Sequence, residues 1–220
     1  MPESTTFNMD CMEAMARYPD KYFDLAVVDP PYGIGEGHSR DYLSRGVLAA
    51  GIPYHQFFDS EPPSVDYFKE LKRVSKNQII WGANHFVDRI PAPNSSCWLV
   101  WDKQNGENDF ADCELAYTSF HSAVRIFRFR WQGMLQGDMK NKEQRIHPTQ
   151  KPVALYAWIY ARYAKPGYKL LDTHMGSQSS RIAAWDAGLD YVGSELDKVY
   201  FDLGEKRFAN HTAQLSLFVD

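Results

Sequence analysis

Six residues, Phe23-Asp24-Leu25-Ala26-Val27-Val28, run directly into Asp29-Pro30-Pro31-Tyr32, and this stretch constrains the fold more than any other. A run of that length and apolarity reads as a strand buried on both faces of a parallel sheet. Neither proline can donate a ladder hydrogen bond, so the strand stops at Asp29. An acid, a rigid turn and an aromatic ring therefore sit at the carboxyl end of a strand. That is the edge at which open α/β sheets bind ligands.

These four residues suit one kind of chemistry. The exocyclic amine of a nucleobase is a poor nucleophile, because its lone pair is delocalised into the ring. A carboxylate at Asp29 can accept one of its N–H bonds, and the Pro30 carbonyl, held by fixed φ values at Pro30 and Pro31, can accept the other. Together they favour the pyramidal, nucleophilic nitrogen, a case of preorganised electrostatics. Tyr32 offers a flat face for a base taken out of its stack. A plain strand-ending turn, with Asp29 capping and Tyr32 packing, accounts for the four residues equally well on their own.

The chain has 220 residues and predicts one domain with a substantial core. Cys11, Cys97 and Cys113 show no metal spacing, and three thiols cannot all pair, so reduced thiols in a cytoplasm are expected. No run reaches the length of a membrane span, and the first residues lack a basic-then-apolar signal. With a net charge of −4, nucleic-acid binding must rest on a local basic face.

Taken in order, Thr5 to Met9 predicts a strand and Met12 to Tyr18 a helix, with Asp10 placed either to cap that helix or to meet a ligand. Residues 33 to 60 carry five glycines with Arg40 and Arg45, which predicts either a flap closing over the site or a plain floppy insertion. Ser64 opens a helix to about Ser75, with Val65, Phe68, Leu71 and Val74 at helical spacing. Gln78 to Gly82 is a strand whose tip brings Asn84 and His85 to the Asp29 edge. Cys97 to Trp101 is another strand. Cys113 to Phe120 and Val124 to Trp131 read as an antiparallel pair, the second interleaving Arg125, Arg128 and Arg130 with aromatic residues. Such interleaving suits phosphate pairing and base stacking, or a solvated strand face. Lys140, Lys142 and Arg145 extend the basic character.

His147-Pro148-Thr149-Gln150-Lys151-Pro152 turns into a helix from Val153 to about Ala164. Tyr168 to Asp172 is a buried strand, followed by the small-residue turn Gly176-Ser177-Gln178-Ser179-Ser180 and a helix. Small residues there admit a ligand close to the backbone and the helix N-terminus. The next strand, Tyr191 to Glu195, ends on an acid 23 residues after Asp172, the position at which an acid binds ribose hydroxyls. A last helix, Lys198 to Asn210, precedes a tail over 211–220.

Together these motifs resemble the amino-methyltransferases of DNA in their circularly permuted form, the similarity running from Phe7 to Phe208. The sequence looks most like the short orphan enzymes of phages and mobile elements. The resemblance implies a Rossmann-like fold with a mostly parallel sheet and helices on both faces. It implies S-adenosylmethionine as methyl donor and transfer to adenine N6, since Asp leads the catalytic motif; Ser there would suggest cytosine N4. It implies that Asp29, Pro30, Pro31 and Tyr32 are catalytic. It places Asp10, Cys11, Asp29, His147, Thr149, Lys151, Pro152, Asp172, His174, Gly176, Ser177, Gln178, Ser179, Glu195 and Leu196 around the cofactor, with Lys151-Pro152 walling the methionine pocket. DNA contacts fall to Arg40, Arg45, Arg125, Arg128, Arg130, Lys140, Lys142 and Arg145, in a small target-recognition region over about 102–145. Duplex DNA with a flipped adenine and a second copy of the chain are the expected partners.

Gln178 stands where the family has glycine, which predicts a crowded pocket or an unfavourable φ. The tail, Gln214-Leu215-Ser216-Leu217-Phe218, resembles the peptide by which bacterial replication proteins dock on the sliding clamp, with Gln214, Leu217 and Phe218 as anchors. Packing of the tail on its own domain competes with that. Two rival functions stay open: an RNA or cytosine-N4 amino-methyltransferase, and a non-catalytic DNA- or clamp-binding module that kept the fold.

Overall fold

A computed structural model describes residues 1–35, 61–106, 111–132 and 135–215. Its main sheet has eight strands: β1 (Ser4–Asn8), β2 (Phe23–Val28), β3 (Ser75–Trp81), β4 (Trp98–Asp102), β5 (Cys113–Thr118), β6 (Arg125–Arg128), β9 (Lys169–Asp172) and β10 (Asp190–Glu195). A small hairpin, β7 (Trp131–Gln132) with β8 (Leu135–Gln136), stands apart. Among the described residues the α-helices are α1 (Cys11–Met15), α2 (Val65–Val74), α3 (Val153–Tyr163), α4 (Ser179–Asp186) and α5 (Lys198–Leu215).

The sheet order is β1-β10-β9-β2-β3-β5-β4-β6, and the pairings from β1 through β3 are all parallel. From β9 the chain moves outward to β10, and from β2 it moves the opposite way to β3. Asp29 and Asp172 therefore end neighbouring strands at a topological switch point, where crossovers leave a crevice. This is the mostly parallel α/β Rossmann-like architecture expected from the sequence.

Strand β2 shows why its sequence is an unbroken apolar run. Leu25 and Val27 pack with Leu155 and Ile159 of α3 and Ala183 of α4. Ala26 and Val28 face the other way, onto Phe68, Leu71 and Val74 of α2. Period-two alternation thus feeds two cores. Each fully buried Leu or Val contributes about 1.5–3 kcal/mol. Helix α2 starts where Ser64 Oγ accepts the Tyr67 amide, as its spacing predicts.

Three expectations are corrected. Strands β5 and β6 do not pair with each other. β4 lies between them, antiparallel to β5 and parallel to β6. Residues 113–118 and 125–128 consequently belong to the main sheet. The first helix ends at Met15, and the last runs through Leu215, not Asn210. Among the described residues no helix is long and apolar enough to cross a membrane.

Candidate active site

The Asp29 carboxylate sits just past β2 with 14% of its side chain exposed. Its Oδ1 lies 2.8 Å from the Tyr32 hydroxyl, and its Oδ2 lies 2.5 Å from Lys151 Nζ. Lys151 Nζ also reaches Glu114 Oε2 at 3.0 Å and donates to the Tyr32 hydroxyl at 3.0 Å. Glu114 Oε1 is held by Lys103 Nζ at 2.5 Å. Burial pushes the Asp29 carboxyl above its usual range, while Lys151 pulls it back down. Burial works against the charge on Lys151, but Asp29 and Glu114 outweigh it and hold the ammonium above its ordinary value. Burial opposes ionisation of Glu114 too; Lys151 and Lys103 overcome that and bring it down to about 2.

The Tyr32 ring lies on Gly82. A Cβ there would come within 2.0 Å of Tyr32 Cε1, and Gly82 has φ +68°, so only glycine fits. The His85 ring is nearly parallel to that of Tyr32, with centroids 5.2 Å apart, while Asn84 is exposed. Pro30 is buried and Pro31 half-buried.

The residues expected to hold the cofactor meet at the tips of β9 and β10. Asp172 Oδ1 accepts the His174 amide at 3.0 Å and Oδ2 accepts Ser180 Oγ at 2.5 Å. Burial drives the Asp172 carboxyl up to about 7, with further push from Asp29 and Glu195. Glu195 Oε2 accepts the Gly176 amide at 2.8 Å, and burial raises this carboxyl as well. Gly176 has φ +47°, and a Cβ there would meet the His147 ring at 3.5 Å. Burial pushes His147 down to about 3 and His174 to about 4, so both imidazoles are neutral near pH 7. Thr149 Oγ1 lies 3.2 Å from His147 Nδ1. Leu196, directly after Glu195, is 70% exposed. Asp10 caps α1 through Met12 and half-buried Cys11 begins that helix. Asn8 Nδ2 donates to the carbonyls of Glu195 and Leu196, tying the β1 tip to the corner.

Gln178 has the left-handed backbone expected of a glycine replacement, φ +61°. Its side chain does not crowd the pocket. It is fully buried against α5, where Nε2 lies 3.1 Å from Glu205 Oε1 and Oε1 accepts Arg181 Nη1 at 2.8 Å. Gly204 of α5 makes the room, since a Cβ there would meet Gln178 Cγ at 2.6 Å. Ser177 and Ser179 turn toward Arg207, whose Nη1 donates to Ser177 O and Ser179 Oγ. Lys151 points its ammonium at the Asp29 motif, and buried Pro152 precedes α3.

The basic residues divide. Arg125 and Arg128 lie exposed on β6 at the sheet edge, with exposed Arg130 just beyond; Lys140 and Lys142 are exposed in the following loop. Arg145 instead sets its guanidinium 4.6 Å from the Trp131 ring centroid and is half-buried. Arg40, Arg45 and the rest of the expected flap from residue 36, together with Leu217 and Phe218, lie outside the described residues. Gln214 falls within α5, not in an extended tail.

Sequence reasoning missed Glu114 and Lys103. Strand β5 runs antiparallel to β3, so its first residues meet the last of β3; Gly82 N donates to Leu115 O. Strand β4 then ends at the same edge, and Lys103 follows it. An acid opening an apolar strand was the available signal.

A family model described as DNA methylase matches residues 100–206. The chain is 27% identical, over 91% of its length and 88% of the other's, to YubD of Escherichia coli (strain K12), a protein named as a methylase. Among solved structures it is similar in fold to an M1.HpyAVI–SAM complex, with 17% identity, a TM-score of 0.55, and 93% of this chain and 99% of that one covered. It is also similar to PvuII DNA methyltransferase, described as cytosine-N4-specific, with 9% identity, a TM-score of 0.60, and coverage of 96% and 92%. The solved structures share the fold of this chain.

Proposed function

From these similarities we propose that the chain is a circularly permuted DNA amino-methyltransferase that methylates adenine N6. The observation that carries the reading is the Asp29 carboxylate at the switch point, ion-paired in a nearly dry site beside the Gly176 corner.

The corner suits S-adenosylmethionine on three counts. Asp29, Asp172 and Glu195 crowd negative charge that a sulfonium would relieve. Part-buried Glu195 beside exposed Leu196 offers an acceptor for ribose hydroxyls next to an apolar surface for a planar base. Glycine at φ +47° keeps the turn free of a side chain. The bound cofactor supplies an electrophilic methyl group on sulfur.

The remaining chemistry belongs to this chain. Asp29 accepts one amino hydrogen of a flipped adenine and the Pro30 carbonyl the other, so the nitrogen lone pair is directed out of the ring plane. Tyr32, braced on Gly82, supplies the stacking face. Exposed Arg125, Arg128, Arg130, Lys140 and Lys142 meet the phosphates and orient the duplex.

The fold similarity to a cytosine-N4-specific enzyme favours a second reading, transfer to cytosine N4. Incubation with labelled S-adenosylmethionine and duplex DNA, single strands or RNA, followed by mass analysis of the nucleosides, decides between them. N6-methyldeoxyadenosine from duplex DNA is the expected product. Only N4-methyldeoxycytidine, or methylation of RNA alone, refutes the adenine assignment.

A further inference from the structure

Lys151 brings a positive charge into a site whose chemistry is assigned to a carboxylate. Its side chain is 3% exposed, and its ammonium bridges Asp29 Oδ2 and Glu114 Oε2. Glu114 is shared in turn with Lys103. Acid and base thus alternate as Asp29, Lys151, Glu114, Lys103, and the four formal charges cancel. The members come from four separate places: the turn after β2, the turn before α3, the start of β5 and the end of β4. A buried ammonium without partners costs several kcal/mol, so these contacts are not an incidental surface pair.

We propose that Lys151 and Glu114 are positioning residues for Asp29: Lys151 keeps its carboxylate ionised in a nearly dry site, and Glu114 draws the ammonium partly away so that Asp29 keeps lone pairs for an amino hydrogen. This rests on Asp29 being the acceptor assigned above. An ionised carboxylate only accepts hydrogen bonds, whereas a protonated one also donates, the wrong polarity toward an N–H. Tyr32 occupies Oδ1 and Lys151 occupies Oδ2, leaving one further lone pair on each oxygen.

The groups that bear on Asp29 are Tyr32 on its own turn, Glu114 from β5, Lys151 before α3 and Asp172 at the β9 tip. Tyr156 of α3 and Tyr67 of α2 also feel its charge, and burial keeps both phenols neutral. The ammonium of Lys151 lowers the proton affinity of Asp29, and the Glu114 anion raises it. Removing one or the other must therefore move Asp29 in opposite directions, which loss of packing alone would not do.

The test uses the full chain with aspartate labelled at its side-chain carboxyl carbon. The Asp29 signal is assigned with Asp29→Asn and followed by NMR against pH in wild type, Lys151→Met and Glu114→Gln. Repeats in an Asp172→Asn background remove the overlapping titration of that neighbour. Lys151→Met is expected to raise the proton affinity of Asp29 by about ten-fold or more. Glu114→Gln is expected to lower it, and the acid limb of kcat follows each shift. An unchanged midpoint in either variant, or shifts in the same direction, overturns the proposal. Should Lys151→Met not fold, Glu114→Gln alone still decides, because its midpoint must fall. The titration needs no turnover, so a wild type that methylates no DNA would defeat the proposed function while the charge-sharing inference is judged separately.

Discussion

Gly204→Ala should change the sign of its effect on stability according to the residue at position 178. In the wild-type chain the new Cβ would lie 2.6 Å from Gln178 Cγ and Nε2 and 2.7 Å from Cδ. Gln178 cannot swing aside freely, because it bonds Arg181 and Glu205 and is fully buried. Alanine for glycine inside a helix gains about 1 kcal/mol. Overpacking costs about 1–3 kcal/mol, so the net effect is a loss of up to about 2 kcal/mol. Expelling Gln178 instead would forfeit hydrogen bonds to charged groups worth about 1.5–3 kcal/mol each. Gln178→Gly relieves a left-handed backbone costing about 1–2 kcal/mol. It also leaves Arg181 and Glu205 paired with each other at 2.6 Å. In that background the space beside residue 204 is open, and the helix gain of about 1 kcal/mol stands alone. The coupling energy of the cycle is then about 1–3 kcal/mol, within the span seen for touching residues. Thermal and denaturant unfolding of the four proteins measures it, at about 2–4 °C in Tm per kcal/mol for a chain of this size. An equal effect of Gly204→Ala in both backgrounds would refute the claim that Gly204 houses Gln178. Gln178→Gly should also leave cofactor affinity near that of the wild type, since the side chain points away from the corner.

Gly82→Ala should displace the Tyr32 ring and abolish methyl transfer, while its left-handed backbone costs about 1–2 kcal/mol of stability; activity retained with stability lost would separate Tyr32 from the chemistry. Asp172 should make the folded state less stable as pH rises. Its folded pKa, about 7, lies above the 3.8 of a free carboxyl, so its contribution is full below pH 4 and lost as pH climbs through 7. Unfolding curves of Asp172→Asn compared with wild type across pH 4–8 measure this: the variant should gain on the wild type as pH rises, and a constant difference would remove the buried-acid account.

Much of the frame could be read from residue order, because parallel strands carry local signals. β2 announces itself as an apolar run stopped by proline, and the spacing of Asp172, Gly176 and Glu195 puts all three at the tips of β9 and β10. Failures came where antiparallel pairing decides position. Cys113 to Phe120 and Val124 to Trp131 are neighbours in the chain, yet β4 separates them in the sheet. Glu114 and Lys103 therefore reach the site by a register that no motif encodes. The resemblance gives Lys151 a place in the wall of the methionine pocket, and nothing in it signals the ion pair with Asp29. Gln178 looked like a defect because Gly204, which makes room for it, lies 26 residues on in another helix.

Single-turnover methyl transfer by Asp29→Ala, at saturating S-adenosylmethionine and duplex DNA, tests the central claim most directly. Losing a preorganised acceptor should slow transfer by about 10²–10³-fold or more, with cofactor dissociation unchanged. Transfer by the variant at near the wild-type rate would contradict the account, since the amino group would then be activated without the carboxylate around which the site is built.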